Sequence, residues 1–429
     1  MPQRTRRVAL LSILAITATS LVACSSPGDS TDADGDVDLT MAVWSANEDH
    51  LALFDTIADD YLAKHDEVKS ITFETITNQD YIAGLTTRIA GGNVPDLAWI
   101  PEANAPEFIQ SGVLADLTDT FKDTDGYDYD DLLPSATALW EKDGDLYAFP
   151  FSNSPFALYV NRDILQAAGQ PDVSALVGTD GYTWDAIADI AAAVKTSTGD
   201  TGLVVPSFSP TTWDNLTPLW ASWGASPWTK DGKTCTFTKP EMTDFLTWFQ
   251  AQTARGAVSA VTTAAQNPVF ATGDVAFSVA QLSASGALDD SFAWDFLPLP
   301  SGPKGEQGVI GQAGIGVVAK SKHVDAATDF LAYFTNAANS EKLATYFPPS
   351  RESLMNVATL SAAAPKLSET QIQSAILDVV PDAIVKSSSP VYSKVTSLVS
   401  SSLDSVWTGG DVGDATAAVC KAAQPVLGR

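Results

Sequence analysis

The chain has 429 residues, 45% of them hydrophobic and 18% charged, and its formal net charge is −28. That composition builds a large globular core and leaves enough chain for two domains. It excludes nucleic acid as a partner, because such a partner needs a basic footprint.

At the N-terminus, Arg4, Arg6 and Arg7 precede an uncharged apolar run from Val8 to Val22, the layout of an export signal. The run is too short for a spanning helix, which takes roughly 20 apolar residues. Leu21-Val22-Ala23-Cys24 resembles the bacterial lipobox, which implies a signal peptide over 1–23 and a lipid on Cys24, anchoring the protein at the outer face of the cell membrane. The alternative is an ordinary secretory signal with an incidental cysteine. Residues 24–38, rich in Ser, Gly and Asp, cannot bury a core and read as a flexible tether, reaching on the order of 20 Å. Export also puts Cys235 and Cys420 in an oxidising compartment, where they are expected to pair rather than remain buried free thiols.

The folded part opens with an alternating strand from Asp38 to Trp44, then an amphipathic helix from Asp49 to Lys64 and a second strand from Ser70 to Ile76. Tyr81, Ile82, Leu85 and Ile89 mark a helix closed by Gly91-Gly92, and Leu97 to Ile100 a third strand. This βαβαβ order predicts parallel strands with right-handed crossovers in an open sheet. Ligands sit beyond the carboxyl ends of such strands, at Trp44 to Glu48 and Pro101 to Asn104.

The nearly unbroken apolar stretch from Leu146 to Asn161 suggests a strand passing between two lobes. Beyond it the spacing predicts a helix from Trp184 to Lys195 capped by Thr183, a Trp-rich segment from Trp213 to Trp228, and a helix from Glu241 to Ala254. Gly311 to Gly316 reads as a flexible re-entry into the first lobe, Val317-Val318 as strand and Asp325 to Thr335 as helix. Phe347 to Arg351 reads as a third crossing. These boundaries give a first lobe of 39–150 plus 312–348 and a second of 151–311 plus 349–429.

The three histidines, His50, His65 and His323, lie at no metal-ligand spacing, so neither metal nor cofactor is expected. No Gly-x-Ser-x-Gly elbow occurs, and the glycine run matches no phosphate-cradling pattern. With 52 acidic residues a two-carboxylate glycosidase remains a rival, although nothing picks out a pair. What remains is a set of aromatic and amide residues suited to a reversible polar-ligand site. Trp44 reads either as a stacking ring or as core. Glu48 reads either as a helix cap or as a ligand contact. Among Trp213, Trp220 and Trp223 at least one is expected at the cleft. Arg351, a long cation with little structural work in a Pro-rich crossing, is expected to touch ligand.

Several motifs occur in one order: Val43-Trp44-Ser45, Ile89-Ala90-Gly91-Gly92-Asn93-Val94-Pro95-Asp96, Gln110 to Leu117, Tyr147-Ala148-Phe149-Pro150, Leu158 to Asp163, Thr183-Trp184-Asp185, Gly273-Asp274-Val275-Ala276-Phe277 and Pro298-Leu299-Pro300. With them the chain from Leu39 onward resembles the extracellular solute-binding proteins of ABC importers, the class of the maltose-, trehalose- and glycerol-phosphate-binding proteins. The resemblance implies an α/β fold of two lobes, periplasmic-binding-protein-like and of the class II type. Each lobe would be a mostly parallel sheet flanked by helices, with three hinge crossings between them. It also implies a monomeric, non-enzymatic receptor that passes a small solute, in our reading a mono- or disaccharide, to membrane permease subunits. A receptor for another solute, such as a glycerol phosphate or peptide, is the alternative. The expected ligand contacts are Trp44, Glu48, Glu102, Asn104, Asn153, Trp213, Asp214, Gln281, Gln312 and Arg351. Where maltose-binding relatives place a stacking tryptophan after the Gly273 motif, this chain has Gln281-Leu282-Ser283, which weighs against a long maltodextrin.

Overall fold

The computed structural model describes residues 37–77, 80–206, 208–260 and 268–428. The expected signal peptide, Cys24 and nearly all of the expected tether lie outside the described residues. The first strand already begins at Val37, so the end of that tether belongs to the sheet.

Strands β1 (Val37–Val43), β2 (Val68–Thr75) and β3 (Leu97–Pro101) pair in parallel, with β1 in the middle. The helices between them are Glu48–Leu62 and Tyr81–Gly91, close to their expected bounds. Asn47 caps the first by accepting from the amides of Asp49 and His50. A small hairpin of β4 (Glu141–Lys142) and β5 (Asp145–Leu146) precedes the long strand β6 (Phe149–Asn161). Then come β7 (Thr201–Val204), β8 (Val275–Gln281), β9 (Trp294–Leu297), β10 (Val309–Val317) and β11 (Ile384–Val385).

The sheet order is β2-β1-β3-β10-β6-β8-β7, with β11 on β10 and β9 on β6. The result is a mixed α/β fold with a central sheet flanked by helices. β7 runs parallel to β8, whereas β10 is antiparallel to β3 and β6, and β6 is antiparallel to β8 and β9. The second half of the sheet is therefore mostly antiparallel, because its long strands enter from the first half and reverse.

The core follows this division. One hydrophobic cluster joins the β1–β3 region to Phe149, Phe151 and residues 313–347. Two others lie on opposite faces of the second half of β6, one holding Phe156, Leu158 and Val160, the other Ala157 and Tyr159. Side chains alternate between faces along a strand, so β6 closes two layers at once. The tryptophans of the Trp-rich segment pack inside: Trp213, Trp220 and Trp228 are at most 2% exposed, each large ring contributing about 1.5–3 kcal/mol or more by burial. Cys235 and Cys420 are joined by a disulfide with Cα atoms 5.4 Å apart, closing a loop of 185 residues that the chain-entropy model values at about 5 kcal/mol.

The expected flexible segment Gly311–Gly316 is instead the centre of β10, buried at every residue. Its glycines serve close packing: a Cβ on Gly314 would lie 2.6 Å from the Trp140 ring. Gly314→Ala should therefore lower unfolding stability by about 1–3 kcal/mol, read from the midpoint of denaturant unfolding; an unchanged midpoint would show that Trp140 yields.

Candidate functional site

The carboxyl ends of β3, β7 and β8 carry the polar side chains. β3 runs into a turn, Glu102–Asn104, in which Glu102 and Asn104 are buried. β7 is followed by Val205-Pro206 and β8 ends at Gln281, beside a cavity of about 490 Å³ whose described lining includes Phe156, Tyr159, Phe270, Asn215, Ser278 and Gln281. Ser278 Oγ is buried there with no partner in the protein.

Glu102 accepts from the backbone amide of Gln312, and its other oxygen lies 3.4 Å from Lys386 Nζ. Lys386, directly after β11, also donates to Asn215 Oδ1. The neighbour of Asn215, Asp214, accepts from the Tyr392 hydroxyl at 3.0 Å. Asn104 Nδ2 donates to Ser393 Oγ at 3.2 Å, and the Ser393 amide to Glu107 at 3.0 Å. Glu102, Asn104 and Glu107 stand on the β3 side, whereas Lys386, Tyr392 and Ser393 lead into the helix Tyr392–Trp407, which packs in a second-half cluster. The polar groups thus meet across the two halves.

Burial is the largest influence on Glu102 and pushes its carboxyl above the ordinary glutamate value; Lys386 offsets part of this, and Asp214 adds to it. Burial, and then Asp214, likewise push the Tyr392 phenol well up. The group holds two carboxylates, Glu102 and Asp214, and one ammonium, which contacts Glu102, an acidic excess that favours hydrogen-bond donors over anions. Among the described residues no group of three or more His, Cys, Asp or Glu could hold a metal ion.

Five of the ten expected contacts belong to this arrangement: Glu102, Asn104 and Asp214 directly, Gln312 and Asn153 behind them. Gln312 accepts from Trp140 Nε1 at 3.2 Å and donates to Asn153 Oδ1 at 2.9 Å and to the Ala136 carbonyl at 3.3 Å. Its side chain is consumed within the protein and serves as backing. Gln281 lines the cavity. Three residues escaped the sequence reading. Asn215 adjoins the expected Asp214, while Lys386 and Tyr392 frame a serine-rich stretch that carries no periodic signal.

Of the four remaining expectations, Arg351 and Trp213 need correction. Arg351 is fully buried; it donates to the carbonyls of Thr335 and Asp128, both at 3.0 Å, pairs with Asp131 at 3.4 Å and covers the Tyr127 ring. It does have structural work, holding Asp128 in a left-handed conformation. Trp213 is enclosed by Trp220, Trp228 and Phe237 and is core rather than an open stacking face. Trp44 is half-buried edge-on to Tyr81 and Trp99. Glu48 is exposed in a helix whose cap is Asn47.

Residues 56–367 match the family model described as bacterial extracellular solute-binding protein. A putative binding protein of Brucella abortus is 26% identical over 181 residues, 42% of this chain and 40% of the relative; the match thus spans less than half of that relative's length. Among solved structures, an ABC substrate-binding protein of Listeria monocytogenes in complex with cycloalternan is 20% identical, with 92% of this chain and all of that chain covered and a TM-score of 0.77. A maltose-bound protein of T. maritima is 18% identical over 91% and 99%, TM-score 0.75. A Mycobacterium tuberculosis protein in complex with glycerophosphocholine is 22% identical over 92% and 98%, TM-score 0.73.

Two outcomes are expected. Arg351→Ala should cost about 3–5 kcal/mol of stability, since it removes a fully buried side chain and leaves the Thr335 and Asp128 carbonyls without that donor and Asp131 without its cation; denaturant unfolding measures it. Because the folded-state carboxyl of Glu102 is raised, its contribution to stability is complete below about pH 4.3 and is lost as pH rises through the raised value. Stability of the unliganded protein should fall over that window, and Glu102→Gln should flatten the fall; a variant with the same slope would assign it to another group.

Proposed function

The chain belongs to the bacterial extracellular solute-binding protein family, and from that premise we propose that it is the receptor of an ABC importer, reversibly binding a mono- or disaccharide between its two halves. Its family and neighbours are substrate-binding transport proteins, and the family implies a secreted or membrane-associated protein. No helix among the described residues is long and apolar enough to cross a membrane, which suits attachment through a lipid on Cys24. The lobes of this receptor are 39–150 plus 312–348 and 151–311 plus 349–429, and it acts as a monomer beside its permease subunits.

The observation that carries the reading is the meeting of Glu102, Asn104, Asp214, Lys386 and Tyr392 from both halves, joined through Lys386 to Asn215, which lines the cavity. Carboxylates and amides suit sugar hydroxyls, and the flat rings of Phe156, Tyr159 and Phe270 suit the apolar faces of sugars. A volume of about 490 Å³ falls in the lower half of the ligand-pocket range of about 300–1,000 Å³. Sugar contacting both halves stabilises the closed form by its differential affinity, and that form is what the importer reads. Two carboxylates against one lysine argue against a phosphate in the same place.

The test is a thermal-shift screen of the purified protein against mono-, di- and oligosaccharides, glycerol phosphates and amino acids. A sugar at a hundred times its dissociation constant adds about 2.7 kcal/mol to stability, and it should be recovered unchanged. Glu102→Ala should weaken that binding by about 1.5–3 kcal/mol, measured by calorimetry. A shift with glycerol phosphates alone would replace the sugar reading, and recovery of cleaved sugar would replace the receptor.

A further inference from the structure

Lys386 is held from outside the site. It leaves β11 at the start of a strap, residues 386–391, that enters the helix Tyr392–Trp407, so the strap sets where Lys386, Tyr392 and Ser393 sit. A short hairpin, residues 226–236, clamps it. Trp228 Nε1 donates to the Ser388 carbonyl at 3.0 Å, the hydroxyls of Ser226 and Ser387 are 2.9 Å apart, and Ser389 Oγ donates to the Gly232 carbonyl at 3.2 Å. Gly232 has φ 69°, and a Cβ there would lie 3.1 Å from the Ser388 oxygen and 3.2 Å from Pro390. The strap therefore seats in a slot that only glycine leaves open.

The hairpin is itself tied down. Trp228 bridges antiparallel to Cys235, which is disulfide-bonded to Cys420 in the helix Val412–Leu427. The Cys235 amide donates to Gln424 Oε1 at 2.9 Å, and Gln424 Nε2 to the Lys233 carbonyl at 3.0 Å. Trp228 does not line the cavity; it reaches the site groups through the strap and, by packing on Trp213, through the neighbouring Asp214 and Asn215, and a Lys386→Met background separates the two routes.

We propose that the disulfide-anchored hairpin is a positioning element for the solute site, in which Trp228 and Gly232 seat the strap so that Lys386 stands between Glu102 and Asn215. The inference rests on the receptor reading. Its test is a double-mutant cycle, with Trp228→Phe and Gly232→Ala each made in the natural chain and in a Lys386→Met chain. Maltose affinity is read by calorimetry and strap mobility by hydrogen exchange of peptides covering 386–393. Each variant should weaken maltose binding roughly tenfold in the natural chain and less than twofold in the Lys386→Met chain, with faster exchange in the strap. Equal losses in both chains overturn the proposal and leave the receptor intact. If the natural chain binds no maltose, that sugar fails for the receptor, and exchange decides the positioning: unchanged exchange in both variants overturns it, faster exchange supports it.

Discussion

The pairing of β6 with β10 is the constraint on which the rest of the structure depends. These two strands run antiparallel through the middle of the sheet, with Gln312 opposite Asn153 and Gly311 opposite Ser154, and each belongs to both halves of the core. Such a pair needs partners for its backbone amides and leaves no room for extra bulk. Gln312 also spends its side chain on Trp140, Ala136 and Asn153, and the Asn153 backbone N–H meets the first demand by donating to the Pro348 carbonyl at 2.9 Å, while Asn153 Nδ2 is buried with no partner in the protein. The glycines of β10 meet the second. All three passages between the halves are thereby bonded to one another at one place, and rearrangement of the halves must be absorbed beside this knot rather than within it.

The same knot sets the electrostatics of the site. The Gln312 amide points at Glu102, so a carboxylate is kept in a place where burial opposes its charge. A single lysine from the opposite half supplies the counter-charge. Buried pairs of this kind owe little net stability to their attraction, since desolvation cancels most of it. What the pair supplies is a contact that exists only when the halves are together. On the receptor reading, sugar hydroxyls compete for or extend those same hydrogen bonds, so solute binding and closure draw on one set of groups.

Legibility in the sequence followed the range of the interactions. Helices came through within a few residues because spacing and caps are local: Thr183 accepts from Ala186 as its position suggested, and Gly92 takes the left-handed conformation that ends its helix. Glu102 and Asn104 were legible because strand order alone places them at a carboxyl edge. Arg351 was misjudged because its partners, Asp128, Asp131 and Thr335, are close only after folding. Gly311–Gly316 was misjudged because glycine permits both a loose loop and a packed strand, and only the side chains that close on it after folding, Gln281, Trp140 and Leu114, distinguish them. Lys386 had no signal at all: a lysine ahead of three serines looks like solvent-exposed loop until β11 joins the sheet.

The fate of the tryptophans ties these points together. Eleven are present, and a sequence reader inclines to place some in an open cleft, yet Trp213, Trp220 and Trp223 all pack inward, at most 6% exposed. Rings buried against one another lose little further freedom when solute arrives, so they form a rigid floor. On the receptor reading, the site on that floor is assembled from short amides, carboxylates and one lysine whose positions are set by backbone and strap. A site of this kind gains little from generic apolar contact and more from the match of donors to acceptors, so an analogue lacking a hydroxyl leaves a buried partner unsatisfied, at about 1–3 kcal/mol per group. Discrimination between closely similar polar solutes therefore follows from where the aromatic mass went: it was spent on holding the polar groups still.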